Sequence, residues 1–209
     1  KALDTLIDKR AAYLTAWQNS AYAERYRALV SQVRAAESAL DSGDGQLPLT
    51  EAVANNLHKL MAYKDEYEVA RLYSDPAFIE KLKASFEGDW KLHIHLAPPM
   101  FSKKDAQGHL IKKKYGPWVF SAMHGLAKLK FLRGTAFDIF GKTEERRTER
   151  ALIGEYETLV RELIGGLNAQ NRELAVELAN LPDGIRGYGH LKENNLKGVR
   201  VKWNDLLAR

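Results

Sequence analysis

Residues 143–166 read TEERRTERALIGEYETLVRELIGG. Thr143 is a hydroxyl residue of the kind that caps a helix, and Glu144 and Glu145 suit the positive end of the helix dipole. Leu152, Ile153, Tyr156, Leu159, Val160 and Leu163 recur at spacings of three and four, and Gly165-Gly166 ends the run. This is one amphipathic helix with a start and a stop signal.

The same period extends outward over most of the chain. In residues 2–40, Leu3, Leu6, Ile7, Leu14, Trp17, Leu29, Val30, Val33 and Leu40 repeat mostly at helical spacing, without Pro or Gly. An unbroken helix there would be about 57 Å long at 1.5 Å per residue, whereas a globule of this chain length has a radius of gyration of about 17 Å. The helix must overhang or break, and Asn19-Ser20 is the expected break. Residues 41–45 (DSGDG) form a loop. Thr50 is expected to cap a helix over about 51–73, with Val53, Leu57, Leu60, Met61 and Tyr67 on one face. Asp75-Pro76 opens a shorter helix to about Glu87, ended by Gly88.

The period changes to two at Leu92, Ile94 and Leu96, which alternate with Lys91, His93 and His95. That is a half-buried strand. The turn 105–108 (DAQG) lets residues 109–115 return as its partner. Helix resumes over 118–131. Residues 134–142 are a loop with exposed-looking Phe137 and Phe140. Asn168 is expected to cap a helix to about Leu181, and residues 188–208 a last one. The fold class is therefore mainly α: an irregular multi-helix domain with one small β-hairpin at about residues 91–115. Residues 1–40 form a long helix or helix pair linking to an upstream domain. Residues 50–209 form a helical domain that carries the hairpin, giving one structural domain overall.

The 209 residues contain 45% hydrophobic residues and carry a net charge of +5, which does not suit a disordered chain. No apolar run is long enough to span a bilayer, so no membrane partner is expected. The charge is uneven. Residues 91–133 hold nine Lys/Arg and one acid, Asp105, or +8, which leaves −3 for the rest. There is no Cys, which excludes disulfides, thiolate zinc sites, cysteine nucleophiles and the usual ligands of iron–sulfur clusters within these residues. The chain opens on Lys1 rather than Met and carries no signal-peptide pattern. It reads as an excised or processed piece, whose activity can lie outside it.

Candidate sites each compete with a plainer reading. His93, His95 and His109 can converge on zinc across the hairpin, but solvent-facing alternation explains them as well. Lys103, Lys104, Lys112, Lys113 and Lys114, beside Tyr115 and Trp118, suit phosphate neutralisation with base stacking, docking to an acidic surface, or a solvated edge that blocks aggregation. Nucleic acid is the least favoured partner. The stretch 184–192 (GIRGYGHLK) places Arg186, Tyr188, His190 and Lys192 among glycines able to cradle an anion, or simply forms a tight turn. Residues 63–68 (YKDEYE) carry acid–base groups, but a solvated helix face with a Lys64–Glu68 ion pair is the preferred reading. Gly43-Asp44-Gly45 with Asn55-Asn56 has the order of a thiamine diphosphate motif, but its halves are too close and a helix precedes it. No nucleophile elbow, P-loop or H-E-x-x-H occurs.

Several segments in order resemble the C-terminal domain of the fused bacterial indolepyruvate ferredoxin oxidoreductases. They are residues 14–30 (LTAWQNSAYAERYRALV), 56–73 (NLHKLMAYKDEYEVARLY), 86–99 (FEGDWKLHIHLAPP), 115–118 (YGPW), 132–140 (LRGTAFDIF), 143–150 (TEERRTER) and 181–193 (LPDGIRGYGHLKE). The resemblance covers nearly the whole chain. It implies a cytoplasmic parent enzyme that oxidatively decarboxylates aryl 2-oxoacids to acyl-CoA and passes electrons to ferredoxin. It also implies that thiamine diphosphate, Mg and the iron–sulfur clusters are held upstream, with no cofactor in this piece. No catalytic residue is carried over. The implied partners are the upstream domains, the dimer mate and, for the parent, ferredoxin. The alternatives are a stand-alone helical binding module with a basic hairpin, and a self-contained helical enzyme using residues 63–68 or 186–192.

Overall fold

The computed structural model describes residues 2–40, 45–87, 93–96, 113–185, 197–198, 200–202 and 205. Its elements are α1 (Ala2–Trp17), α2 (Ser20–Ser38), α3 (Pro48–Met61), α4 (Glu66–Tyr73), α5 (Pro76–Ala84), β1 (Ile94–Leu96), β2 (Lys113–Tyr115), α6 (Trp118–Lys128), α7 (Glu144–Gly165) and α8 (Arg172–Ala179). Short 3-10 turns follow α6 (Leu129–Leu132) and α8 (Leu181–Gly184). The class is mainly α. The chain divides into two compact units, one of residues 1–63 with 142–209, the other of residues 64–141.

The first unit packs α1, α2, α3, α7 and α8 around one apolar cluster, with Leu14, Trp17, Tyr26, Val33, Leu57 and Tyr156 among its buried side chains. The expected break between α1 and α2 is present. Asn19 is extended, and its side chain accepts the Tyr22 N–H at 2.9 Å. The break lets Trp17 stack on Tyr22 (5.0 Å, 21°) and donate its indole N–H to the Tyr63 carbonyl at 3.1 Å.

The start of α3 corrects one expectation. The helix begins at Pro48, and Leu47 before it makes no side-chain cap. Glu37 of α2 supplies the acceptor instead. Its buried carboxylate takes the N–H groups of Leu49 (2.9 Å) and Thr50 (2.7 Å) and the Thr50 hydroxyl (2.8 Å). Arg172 of α8 donates to the same carboxylate at 3.3 Å. A carboxylate at a helix N-terminus satisfies orphan donors and complements the dipole. Here it also ties three helices together.

The α7 helix matches its sequence signals. The Thr143 side chain accepts from Arg146 N at 3.3 Å, and Leu152, Ile153, Tyr156, Leu159 and Val160 are buried. Tyr156 donates its hydroxyl to the Ala179 carbonyl of α8 at 2.7 Å. Asn168 does not cap α8. It accepts the N–H groups of Gln170 and Asn171 in the preceding turn, and the helix starts at Arg172. The described positions between 197 and 205 are helical, within the expected last helix.

The second unit corrects the expectation of one helix over 51–73. That helix stops at Met61, and α4 starts again after Asp65, which is extended and accepts the Glu68 N–H at 2.9 Å. Asp75 caps α5 in the expected way through Ala77 N, with Pro76 at its first position. The strands β1 and β2 pair antiparallel, Ile94 opposite Tyr115, His95 opposite Lys114 and Leu96 opposite Lys113. Among the described residues the unit's apolar cluster is small: Ala70 from α4 with Val119 and Met123 from α6, flanked by Tyr73, Tyr115, Phe120 and Leu126. Among the described residues, no helix is long and apolar enough to cross a membrane.

Candidate functional site

Of the basic hairpin residues, Lys113 and Lys114 are described and exposed on β2. Lys103, Lys104, Lys112 and His109 lie outside the described residues, as do Arg186, Tyr188, His190 and Lys192. His93 is exposed and its Nδ1 lies 3.3 Å from the Tyr115 carbonyl, a donor's position across the strand pair. His95 stands opposite Lys114. Among the described residues, no group of three or more His, Asp or Glu side chains is placed to hold a metal. With no Cys in the chain, the usual thiolate ligands of an iron–sulfur cluster do not come from these residues. Gly43 and Asp44 of the thiamine-like order lie outside the described residues.

The acid–base stretch at residues 63–68 is not a solvated helix face. Asp65, Tyr67 and Glu68 are all buried, and Glu68 pairs with Arg71 through two 2.8 Å contacts rather than with Lys64. Capping explains the burial of Asp65 only in part. Arg133 donates Nε to Asp65 Oδ2 at 2.5 Å and Nη2 to Oδ1 at 2.8 Å, a two-pronged ion pair with both side chains buried. Planar guanidinium suits this geometry. The Arg133 guanidinium also lies 5.4 Å from the centre of the Tyr67 ring.

Asp138 completes the network. It accepts the N–H groups of Gly134 at 2.8 Å and Gly141 at 2.9 Å, and the Tyr67 hydroxyl at 3.2 Å. Both ends of the loop 134–141 are thus tied to one buried carboxylate. Gly134 sits at φ +77°, in the left-handed region that glycine enters without strain. Burial, with the Asp138 carboxylate beside it, raises the Tyr67 hydroxyl well above the usual phenol range, so it stays a donor. Burial, with Arg71 and Arg133 nearby, pulls the Lys130 ammonium below its usual range.

The turn and loop that this network holds carry exposed apolar side chains: Phe131 is 64% exposed, Phe137 77% and Ile139 52%, while Leu129 is exposed to a lesser degree. Trp118, 64% exposed, opens α6 and meets the Tyr115 ring edge-on at 6.0 Å. Phe140 departs from expectation. It turns inward to meet the Tyr67 ring edge-on at 5.4 Å, because its neighbour Asp138 is anchored in the interior. The charge of this region is one-sided. Between residues 113 and 141 the cations are Lys113, Lys114, Lys128, Lys130 and Arg133, and the only acid is Asp138, which is buried. Sequence reasoning singled out Phe137 but missed Arg133 and Asp138. The available signal was an Asp set between Gly134 and Gly141 in a short loop.

No curated protein and no solved structure matches the chain. A family model described as a family of unknown function (DUF6537) matches residues 3–205, nearly the whole length, and the chain belongs to that family.

Proposed function

We propose that this chain is the C-terminal structural and docking domain of an indolepyruvate ferredoxin oxidoreductase. The parent enzyme would oxidatively decarboxylate aryl 2-oxoacids to acyl-CoA, with electrons passed to ferredoxin. The sequence resemblance across residues 14–193 is what names the parent. The observation that supports a docking role is the exposure of Phe131, Phe137 and Ile139 on a turn and loop that the buried Arg133–Asp65 pair and Asp138 hold from inside. Large apolar side chains left in solvent on a fixed loop are a candidate site of interaction. In this reading thiamine diphosphate, Mg and the clusters belong to upstream domains. The isolated chain is inactive.

Two experiments test it. Thiamine diphosphate with Mg²⁺ titrated into the isolated chain is expected to give no binding heat. In the full-length polypeptide, charge reversal at residues 112–114 is expected to weaken assembly or ferredoxin-coupled turnover; unchanged assembly and turnover refute the docking role of the hairpin. A full-length sequence without cluster cysteines and a thiamine motif upstream of Lys1 refutes the parent assignment. It would leave a stand-alone binding module, which the same exposed surface also suits.

A further inference from the structure

Arg27, Arg34 and Arg172 of the first unit are half-buried, and each meets a carboxylate: Asp8 at 2.8 Å, Asp4 at 2.8 Å and Glu37 at 3.3 Å. Arg10 of α1 is half-buried too, but its acceptors are different. It donates Nη1 to His58 Nδ1 at 3.2 Å and Nη2 to Asn55 Oδ1 at 3.3 Å, both on α3. A guanidinium only donates, so His58 Nδ1 accepts and the imidazole is the neutral tautomer with its proton on Nε2. Arg10 Nε is buried and has no hydrogen-bond partner. Charges taken out of water are normally paired, because an unpaired one is costly to bury. The orphaned atom lies on the edge that carboxylates use. In Arg71 and in Arg133, Nε and Nη2 donate side by side to the two oxygens of one carboxylate, Glu68 and Asp65 respectively. The same edge of Arg10 carries only the Asn55 amide oxygen, on Nη2.

We propose that the Nε/Nη2 edge of Arg10 binds a carboxylate monoanion in place of the Asn55 side chain. The planar group accepts both donors in parallel, the arrangement in which guanidinium and carboxylate match best. Arg10 and Asn55 are both half-buried, so solvent reaches the pair, and turning the Asn55 amide aside uncovers the edge. The site carries the single charge of Arg10, since His58 is neutral and, among the described residues, no carboxylate pairs with this arginine. One positive charge is balanced by a monoanion and not by a phosphate dianion. The imidazole that holds Nη1 is itself fixed: Tyr13 and Tyr26 meet its ring edge-on at 5.3 and 6.5 Å. The guanidinium is therefore held in orientation by Nη1 while its other edge exchanges acceptors. The site does not depend on the parent-enzyme reading given above.

The test is a titration of the chain with sodium acetate against sodium chloride at constant ionic strength. It is followed by the NMR signal of the Arg10 Nε–H, identified by its loss in Arg10→Lys. The expected result is a saturable downfield shift with acetate and no saturable shift with inorganic phosphate. Calorimetry is expected to show acetate affinity reduced about tenfold or more in Arg10→Lys, because a lysine offers no two-pronged edge. Asn55→Asp places a carboxylate on the edge from within. It is expected to hold the Arg10 Nε–H signal at the shifted position and to abolish the response to acetate. The proposal is overturned by a signal that acetate leaves in place or moves without saturation, or by phosphate binding as tightly as acetate. It is equally overturned if Arg10→Lys binds acetate as tightly as the original chain, or if Asn55→Asp still responds to it.

Discussion

Replacing Arg133 with Met should loosen the loop 134–141 while leaving the first unit folded. Arg133 meets Asp65 at 2.5 and 2.8 Å, and both side chains are 4% exposed. The substitution removes both contacts and leaves Asp65 buried with the Glu68 N–H as its remaining named donor. Breaking one side of a buried ion pair costs about 3–5 kcal/mol. At about 1.4 kcal/mol per factor of ten, local opening becomes easier by at least about two orders of magnitude. Hydrogen exchange reads this directly, because the amides of Gly134 and Gly141 are both bound to Asp138 inside the affected loop. Their protection should fall by on the order of 10²-fold or more, whereas amides in the middle of α7 should not change. Asp65→Asn keeps a side-chain acceptor for the start of α4. In a double-mutant cycle it should therefore show strong coupling to Arg133→Met. Unchanged exchange at Gly134 and Gly141 in Arg133→Met, or two effects that simply add, would refute the claim that this pair holds the loop.

Three further perturbations probe the first unit. Glu37→Ala strands the buried Leu49 and Thr50 donors, and should lower stability by about 2–4 kcal/mol in a urea titration. His58 is held down to about 4 from an ordinary 6.5 by burial and by the Arg10 guanidinium. The unfolded chain thus takes up the proton first as pH falls. The stabilisation is complete above pH 6.5, is lost on the way down to about pH 4 and amounts to about 3 kcal/mol. His58→Gln should flatten that part of the pH–stability curve, and a curve of unchanged slope would count against it. Thr143→Ala removes the cap of α7 and should cost about 1 kcal/mol, seen as a lower midpoint for thermal unfolding.

Local chemistry was legible in the sequence where it acts over a few residues. Asn19 and Asp75 cap the helices that follow them, and Thr143 with Glu144 and Glu145 starts α7, because a cap acts within one turn of its own position. The break between α3 and α4 was missed. The apolar spacing of Leu57, Leu60, Met61 and Tyr67 runs through it, and no Gly or Pro marks it. The spacing of Asp65 and Glu68 was the overlooked signal, since Asp followed three residues later by Glu is a helix-start pattern. The partners of the buried carboxylates were not legible at all. Glu37 meets Arg172 and Asp65 meets Arg133 across long stretches of chain, and nothing local distinguishes these acids from solvated ones. The exposure of Phe137 was foreseen from its loop. That of Ile139, and the inward turn of Phe140, depend on where Asp138 is anchored.

The two units reach order by different means, and the difference bears on what the second one is for. The first buries Trp17, Tyr26 and Tyr156 in a broad apolar core. Among the described residues the second has Ala70, Val119 and Met123 at the centre of a small cluster, yet leaves Trp118, Phe131, Phe137 and Ile139 in solvent. A short segment buries a smaller share of its surface than a large domain. Turning those four side chains inward would enlarge the core, so their exposure is not forced by a shortage of apolar residues. Instead Asp65, Arg133, Tyr67 and Asp138 occupy interior positions that apolar groups can fill, and replacing buried ion pairs by apolar groups is often neutral or stabilising. Ion pairs in place of available apolar groups fit a unit whose interior is arranged to fix one loop conformation. On the proposed docking role, its outward apolar side chains contribute free energy only when a partner covers them. Substitutions such as Phe137→Ser should accordingly leave the stability of the isolated chain within about 0.5 kcal/mol and register only in assembly.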